Sequence, residues 1–167
     1  MLANPFESSD NRIPATFSAA PAGVTVYKWD EVTQAFRGNV KNDFGGTITW
    51  DDPLMTLYPG EGVLINTPSS FTLQVWGRIR QNCLNKSISS QYAIHSSISA
   101  VFGTVDGGMT FPVADGDTIT RMISGMYQNY QYSSGVWTPS QPSVALGEAF
   151  WSLKGKGATW RQNYSAW

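Results

Sequence analysis

Tyr58-Pro59-Gly60-Glu61-Gly62-Val63-Leu64-Ile65 returns later in the chain as Ala145-Leu146-Gly147-Glu148-Ala149-Phe150-Trp151-Ser152. Each copy is a glycine turn followed at once by an apolar run, the pattern of a turn feeding a buried strand. A tryptophan stands eleven residues before the glutamate in both, Trp50 ahead of Glu61 and Trp137 ahead of Glu148. At this offset of 87 the register runs without a gap to Thr72 and Thr159, past Leu57 with Val144 and Leu73 with Trp160.

Outward from that pair the rest of the chain falls into two sets. Val24 to Trp29 and Thr118 to Ile123 alternate apolar and polar positions, as half-buried strands do. In the first, Val24, Val26 and the stem of Lys28 share one face, and Thr25, Tyr27 and Trp29 the other. Turns at Asp30-Glu31 and Ser124-Gly125 lead to return strands, Gln34 to Arg37 and Tyr127 to Tyr132. Ser8 to Pro21 is a loop with room for one helical turn, anchored by Ile13 and Phe17, and Phe111 takes the place of Phe17 in the second set. Closing strands are expected at Phe71 to Trp76 and Thr159 to Tyr164, and Gln91 to His95 reads as an opening strand. The chain begins with the end of such a strand, Met1 to Phe6, so the first set should present an open sheet edge through which copies of the chain could associate.

Composition agrees with an all-β chain. In 167 residues there are 16 Gly, 9 Pro, 7 Trp, 7 Tyr and 8 Phe, while charged residues make up only 14%, well below the roughly 25% of ordinary soluble chains. No 3.6-residue apolar stripe runs for ten positions. The expected fold is therefore all-β, with two homologous repeats, residues 1–77 and 78–167, packed as one sandwich- or barrel-like unit with pseudo-two-fold symmetry around a shared core.

The order Asn4-Pro5-Phe6, Val26-Tyr27-Lys28-Trp29-Asp30 and Pro59-Gly60-Glu61-Gly62-Val63 resembles a repeat of large exported proteins from environmental bacteria such as Verrucomicrobia. There an Asn-Pro strand end, a Tyr-x-Trp-Asp strand and a Pro-Gly-x-Gly turn follow one another. The resemblance spans both sets and implies a β-rich tandem architecture and an extracellular or cell-surface setting. It brings no activity that transfers residue by residue. The second set departs from it, with Leu146 for the proline and Met122 for the tryptophan.

Charge and motif content narrow the function. Eleven basic against twelve acidic residues, with no basic run, argue against nucleic acid and anionic membrane as partners. No apolar run approaches a spanning helix, and the first twenty residues lack the pattern of a signal peptide. One His and one Cys, Cys83, cannot close a zinc site, and no cofactor is expected. Asp115-Gly116-Asp117, with Asp106 near in sequence, is a weak calcium candidate whose plainer reading is a β-turn. Asn85-Lys86-Ser87 and Asn163-Tyr164-Ser165 match the glycosylation sequon, a short pattern common by chance.

Two functions from different classes remain. A small hydrolase for glycosides or esters would use Glu61 facing Glu148, or His95 with a distant serine. Against it, a feature present in both repeats belongs more naturally to the fold, each glutamate accepting N–H bonds in its own turn. The Gly-x-Ser-x-Gly pattern is also absent, and Ser96 next to His95 in a strand points to the opposite face. The favoured reading is a non-catalytic module that contacts glycan or a protein surface through exposed aromatics. Trp50, Tyr58, Trp137 and Trp151 are its expected ligand-binding residues because they flank the paired turns.

Overall fold

The structure, a computed structural model, describes residues 1–164; Ser165, Ala166 and Trp167, and with them the last residue of the second sequon, lie outside the described residues. The elements in order are β1 (Leu2–Ala3), α1 (Ile13–Thr16), β2 (Thr25–Asp30), β3 (Ala35–Phe44), β4 (Thr47–Trp50), β5 (Gly62–Asn66), β6 (Asn82–Ile88) and β7 (Tyr92–His95). They continue with β8 (Gly103–Thr104), β9 (Thr118–Ile123), β10 (Met126–Ser133), β11 (Val136–Thr138), β12 (Ser143–Val144), β13 (Phe150–Leu153) and β14 (Ala158–Tyr164). The all-β expectation holds, and the single short helix among the described residues lies in the Ser8 to Pro21 loop.

Two five-stranded antiparallel sheets dominate, in the orders β1-β5-β2-β3-β4 and β7-β13-β9-β10-β11. The orders correspond strand for strand. Three of the hairpins are closed by two-residue turns, Gly45-Gly46, Ser124-Gly125 and Ser134-Gly135, in which both central residues have positive φ, whereas β2 and β3 are joined by the four residues 31–34. The two-residue turn of this kind is the one whose twist matches the right-handed twist of the flanking strands. The expected return strand Gln34 to Arg37 runs on to Phe44 and turns back as β4, because Gly45-Gly46 closes a hairpin rather than opening a loop.

Register extends the correspondence to single residues. Leu2 pairs with Val63, and His95 with Phe150, which lies 87 residues beyond Val63. Leu2 also bridges to Glu148, and His95 to Glu61. Across the same junction, Ala3 N–H donates to the Gly147 carbonyl at 2.9 Å and Ser96 N–H to the Gly60 carbonyl at 3.2 Å. The first strand of each sheet is thus held on its second edge by the other sheet's Gly-Glu turn. This corrects the expectation of an open N-terminal edge: β1 is short, but Gly147 and Glu148 cover it.

Alternation puts one face of each sheet on its own core. Val24, Val26 and Val63 face a cluster with Ile13, Phe17 and Leu57. Ile119 and Phe150 face one with Ile98, Phe111 and Trp160. A third cluster joins the two sheets through Ala3, Ile94 and Ala149, with Trp29, Leu64 and Trp151 packed on it. Gly62 and Ala149, matching residues of the two turns, meet there. A methyl group added to Gly62 would lie 2.5 Å from Ile94 Cγ2 and closer still to the Ala149 methyl, so the junction leaves no room for a side chain at residue 62.

A second correction concerns Phe71 to Trp76, which forms no strand. Its matching stretch, β14, is paired along its length with β6, from Ala158 with Ile88 to Tyr164 with Asn82.

Candidate functional site

The outer faces of β2, β3, β9, β10 and β13 and the edge strand β7 converge on an aromatic cleft. Trp29, Phe36, Tyr92, Tyr127 and Trp151 line it with Thr120 and Asn129, around a volume of about 480 Å3. No charged side chain is among them. Trp29 and Phe36 are cross-strand partners in the first sheet, and Trp151 pairs with Thr120 in the second. The cleft therefore exists only because the two sheets adjoin.

Edge-to-face packing fixes the rings. Trp29 lies 4.9 Å from Trp151 and 5.0 Å from Phe36, and Phe36 lies 5.7 Å from Trp151, centroid to centroid. Tyr92 adds an edge contact to Trp151 at 6.2 Å. Such arrangements set the positive rim of one ring against the negative face of the next. Trp29 Nε1–H donates to the Tyr92 carbonyl at 2.8 Å and Gln34 Nε2 to the same oxygen at 3.0 Å, which ties the first sheet to β7. Tyr92 and Tyr127 stay about half exposed and Phe36 is also exposed. Thr120 Oγ1 donates to Asn129 Oδ1 at 2.7 Å, and the Asn129 amide NH2 has no partner among the described residues.

Of the four aromatic residues expected to bind ligand, only Trp151 lines this cleft. Trp137 is 7% exposed, packs in the second core and donates its Nε1–H to Asp106 Oδ2 at 3.0 Å. Trp50 packs against the first core. Tyr58 is 47% exposed and lies beside a separate polar groove near Ser8 and Asp10. The paired turns lie at the junction, while β4 and β11 carry Trp50 and Trp137 to the far edge of each sheet. Trp29, Phe36, Tyr92 and Tyr127, which complete the lining of the cleft, were not among the four residues expected from the sequence. The signal was the alternation of β2, which sets Trp29 opposite Val24 and Val26.

The hydrolase candidates stand elsewhere. Glu61 accepts the Tyr58 N–H at 2.8 Å and Lys28 Nζ at 2.8 Å. Glu148 accepts the Ala145 N–H at 3.0 Å and hydrogen bonds from Nε and Nη2 of Arg121 at 2.9–3.1 Å. Each carboxylate closes its own turn and is held by the cation of the adjoining strand. The turns themselves are alike, with Gly60 at φ 93° and Gly147 at φ 79° in the position that needs glycine.

His95 is fully buried among Phe111, Phe150 and Trp160, with ring centroids 5.6 to 6.5 Å away. Neither ring nitrogen has a hydrogen-bond partner among the described residues. Burial, reinforced by the positive charges of Lys86 and Lys154, pushes its pKa well below the usual histidine value, so it is a neutral ring at pH 7. Its neighbours Ser96 and Ser97 donate to the Glu61 carbonyl at 2.7 Å and to Gln162 Oε1 at 3.1 Å. Among the described residues no serine–histidine pair is formed.

The calcium candidates are turn and core residues. Asp115 Oδ1 accepts the Ser134 N–H at 2.8 Å; Asp117 accepts those of Ala114 at 2.8 Å and Gly155 at 3.2 Å. Asp117 also forms an ion pair with Lys154, both side chains being 2% exposed. An ammonium group already stands where a cation would bind. Among the described residues no group of three or more His, Cys, Asp and Glu is placed to hold a metal ion, and no helix is long and apolar enough to cross a membrane.

No family model, no curated protein and no solved structure matches the chain.

Proposed function

We propose that this chain is a non-catalytic binding module of an exported protein, akin to the bacterial repeats its turns resemble, and that the Trp29–Trp151 cleft takes a neutral glycan. The observation that carries the reading is the lining itself. Five aromatic rings and two neutral polar side chains surround an open cleft in a chain poor in charge. A sugar ring offers C–H faces for stacking and hydroxyls for the Asn129 amide and the tyrosine hydroxyls, a match of apolar walls with a few placed polar groups. Burial of two half-exposed tyrosines by a ligand supplies affinity without needing a charged partner.

The hydrolase alternative requires two titratable groups in reach of one another and of substrate. Glu61, Glu148 and His95 each make contacts of the fold instead, and no observation favours that reading over the cleft.

The test is a glycan array followed by calorimetric titration of any hit. Phe36→Ala, Tyr92→Ala and Tyr127→Ala, all at exposed rings, should each weaken binding at least tenfold, while Tyr58→Ala leaves it unchanged. Binding that survives all three cleft changes, or turnover of chromogenic glycosides or esters abolished by Glu61→Gln, Glu148→Gln or His95→Ala, would overturn the proposal.

A further inference from the structure

Six residues within the ten strands of the two five-stranded sheets carry a charge at pH 7: Lys28, Asp30, Arg37, Lys41, Asp43 and Arg121. Alternation and register put all six on the core-facing side, in line with Val24, Val26 and Ile119. The outer faces therefore carry no charged strand residue. Asp51, one residue past β4 at the far edge of the first sheet, has the outward register, but its carboxylate accepts the Val40 N–H at 3.3 Å and the Asn42 amide at 2.8 Å. Antiparallel sheets ordinarily turn polar residues outward, and here the outward polar groups are neutral hydroxyls and amides.

Both faces run on from the aromatic cleft. On the first sheet Tyr27 shares the face of Trp29 and makes an edge contact to Phe36 at 6.1 Å. A methyl group added to its cross-strand partner Gly38 would lie 3.4 Å from Tyr27 Cε1, so the glycine gives the ring its seat on β3 while the ring stays only partly buried. On the second sheet β10 carries Tyr127 and Asn129 into the cleft and Gln131 beyond it, on the same face. Thr118 of β9 and Thr138 of β11 flank Gln131 in register, and Asn129, Gln131 and Thr138 are all exposed. Tyr127 to Gln131 spans about 13 Å at a strand's rise per residue, more than one sugar ring covers.

We propose, resting on the reading of the cleft as a glycan site, that its ligand is a linear neutral oligosaccharide that overruns the cleft at both ends. Tyr27 is then a further stacking platform and Gln131, with Thr118 and Thr138, a further polar subsite. A uronate or sulfated sugar would give up hydration without meeting a cation on either face, and a free amine without meeting a carboxylate. A protein partner is disfavoured because the faces beyond the cleft offer hydroxyls and amides in place of the apolar centre of a protein interface.

The probes are linear gluco- and manno-oligosaccharides of two and of six units, titrated calorimetrically into the full chain. In at least one series the six-unit form should bind at least tenfold more tightly than the two-unit form. Gln131→Ala, at an exposed position, and Tyr27→Ala should each weaken the six-unit form at least threefold and leave the two-unit form unchanged. Equal affinity for both lengths, with Phe36→Ala and Tyr127→Ala still effective, would overturn the extension and leave the cleft reading standing. So would a six-unit advantage that survives both Gln131→Ala and Tyr27→Ala. Tighter binding of a six-unit uronate oligosaccharide would contradict the neutral ligand, and binding of none of these sugars would remove the cleft reading and this proposal together.

Discussion

The two five-stranded sheets share a strand order and differ in what their cores contain. Where the first core has Leu2 and Val24, the matching places of the second hold His95 and Asp117; Gln162 stands where the partly buried Val75 does and Lys154 where Thr67 does. Gln162 accepts from Ser97 Oγ, Ile98 N–H and Ser99 N–H and donates to the Met109 carbonyl at 2.9 Å. Lys154 donates to Asp117 and to the Pro112 carbonyl at 2.8 Å. One backbone plan thus carries an apolar or a polar filling at equivalent points, provided the polar atoms find partners nearby. His95, sealed among rings, and Ser152 are exceptions: neither ring nitrogen of the one nor the hydroxyl of the other has a partner among the described residues. The difference teaches that the conserved geometry resides in turns and register, and that side chains at matched positions are free to diverge.

The largest expected effect comes from turning the second core toward the first in one step only. Asp117→Ala leaves Lys154 charged and buried without its partner, and should lower unfolding free energy by about 3–5 kcal/mol in denaturant titration. Asp117→Val with Lys154→Met, which removes both charges, should recover most of that loss. If the single and double changes cost the same, the ion pair is not what fills the site.

A smaller effect should come from the junction. Gly62→Ala sets a second methyl against Ala149, an overpacking cost of about 1–3 kcal/mol. Adding Ala149→Gly removes one of the two clashing groups but leaves Ile94 Cγ2 at 2.5 Å, so it should restore only part of the loss. A Gly62→Ala protein of unchanged melting temperature would mean that the turns do not touch.

His95 should make stability depend on pH. The folded state holds the ring neutral with its pKa well below 6.5, while the unfolded chain takes up a proton near 6.5. Below that value the unfolded state binds more protons, so stability falls as pH drops from 6.5 toward the folded pKa, by up to about 1.4 kcal/mol per pH unit. Above 6.5 the contribution is complete and flat. His95→Leu, the residue found at the matching Leu2, should remove this slope between pH 5 and 6.5 when both proteins are titrated side by side. An unchanged slope in the variant would assign it to the carboxylates.

The smallest effect on stability belongs to the cleft rim. Tyr127→Ala at a half-exposed ring should change unfolding free energy by less than about 0.5 kcal/mol while weakening ligand. A large loss of stability would make that ring part of the core.

Much of the frame was legible in the sequence. Gly60-Glu61 and Gly147-Glu148 announced turns, since a positive φ in that place calls for glycine, and β2, β9, β13 and β14 lie where alternation puts them. The site was less legible. Both faces of β2 are apolar, Val24 and Val26 on one and Tyr27 and Trp29 on the other, so the pattern does not say which face another sheet will cover. Trp137 looked as available as Trp151, and its burial depends on contacts with Tyr132 and Asp106 that no local pattern encodes. Phe71 to Trp76 has a good strand sequence and is no strand, because a strand needs a neighbour and not only a propensity.

The central claim is that the adjoining outer faces of the two sheets make a binding cleft around Trp29 and Trp151. It is tested most directly by following the indole Nε1–H resonances of all the tryptophans while the glycan identified on the array is titrated in. The account predicts that Trp29 and Trp151 shift together and saturate, while Trp50 and Trp137 stay still. Shifts at Trp50 or Trp137 with Trp29 and Trp151 unmoved would contradict it.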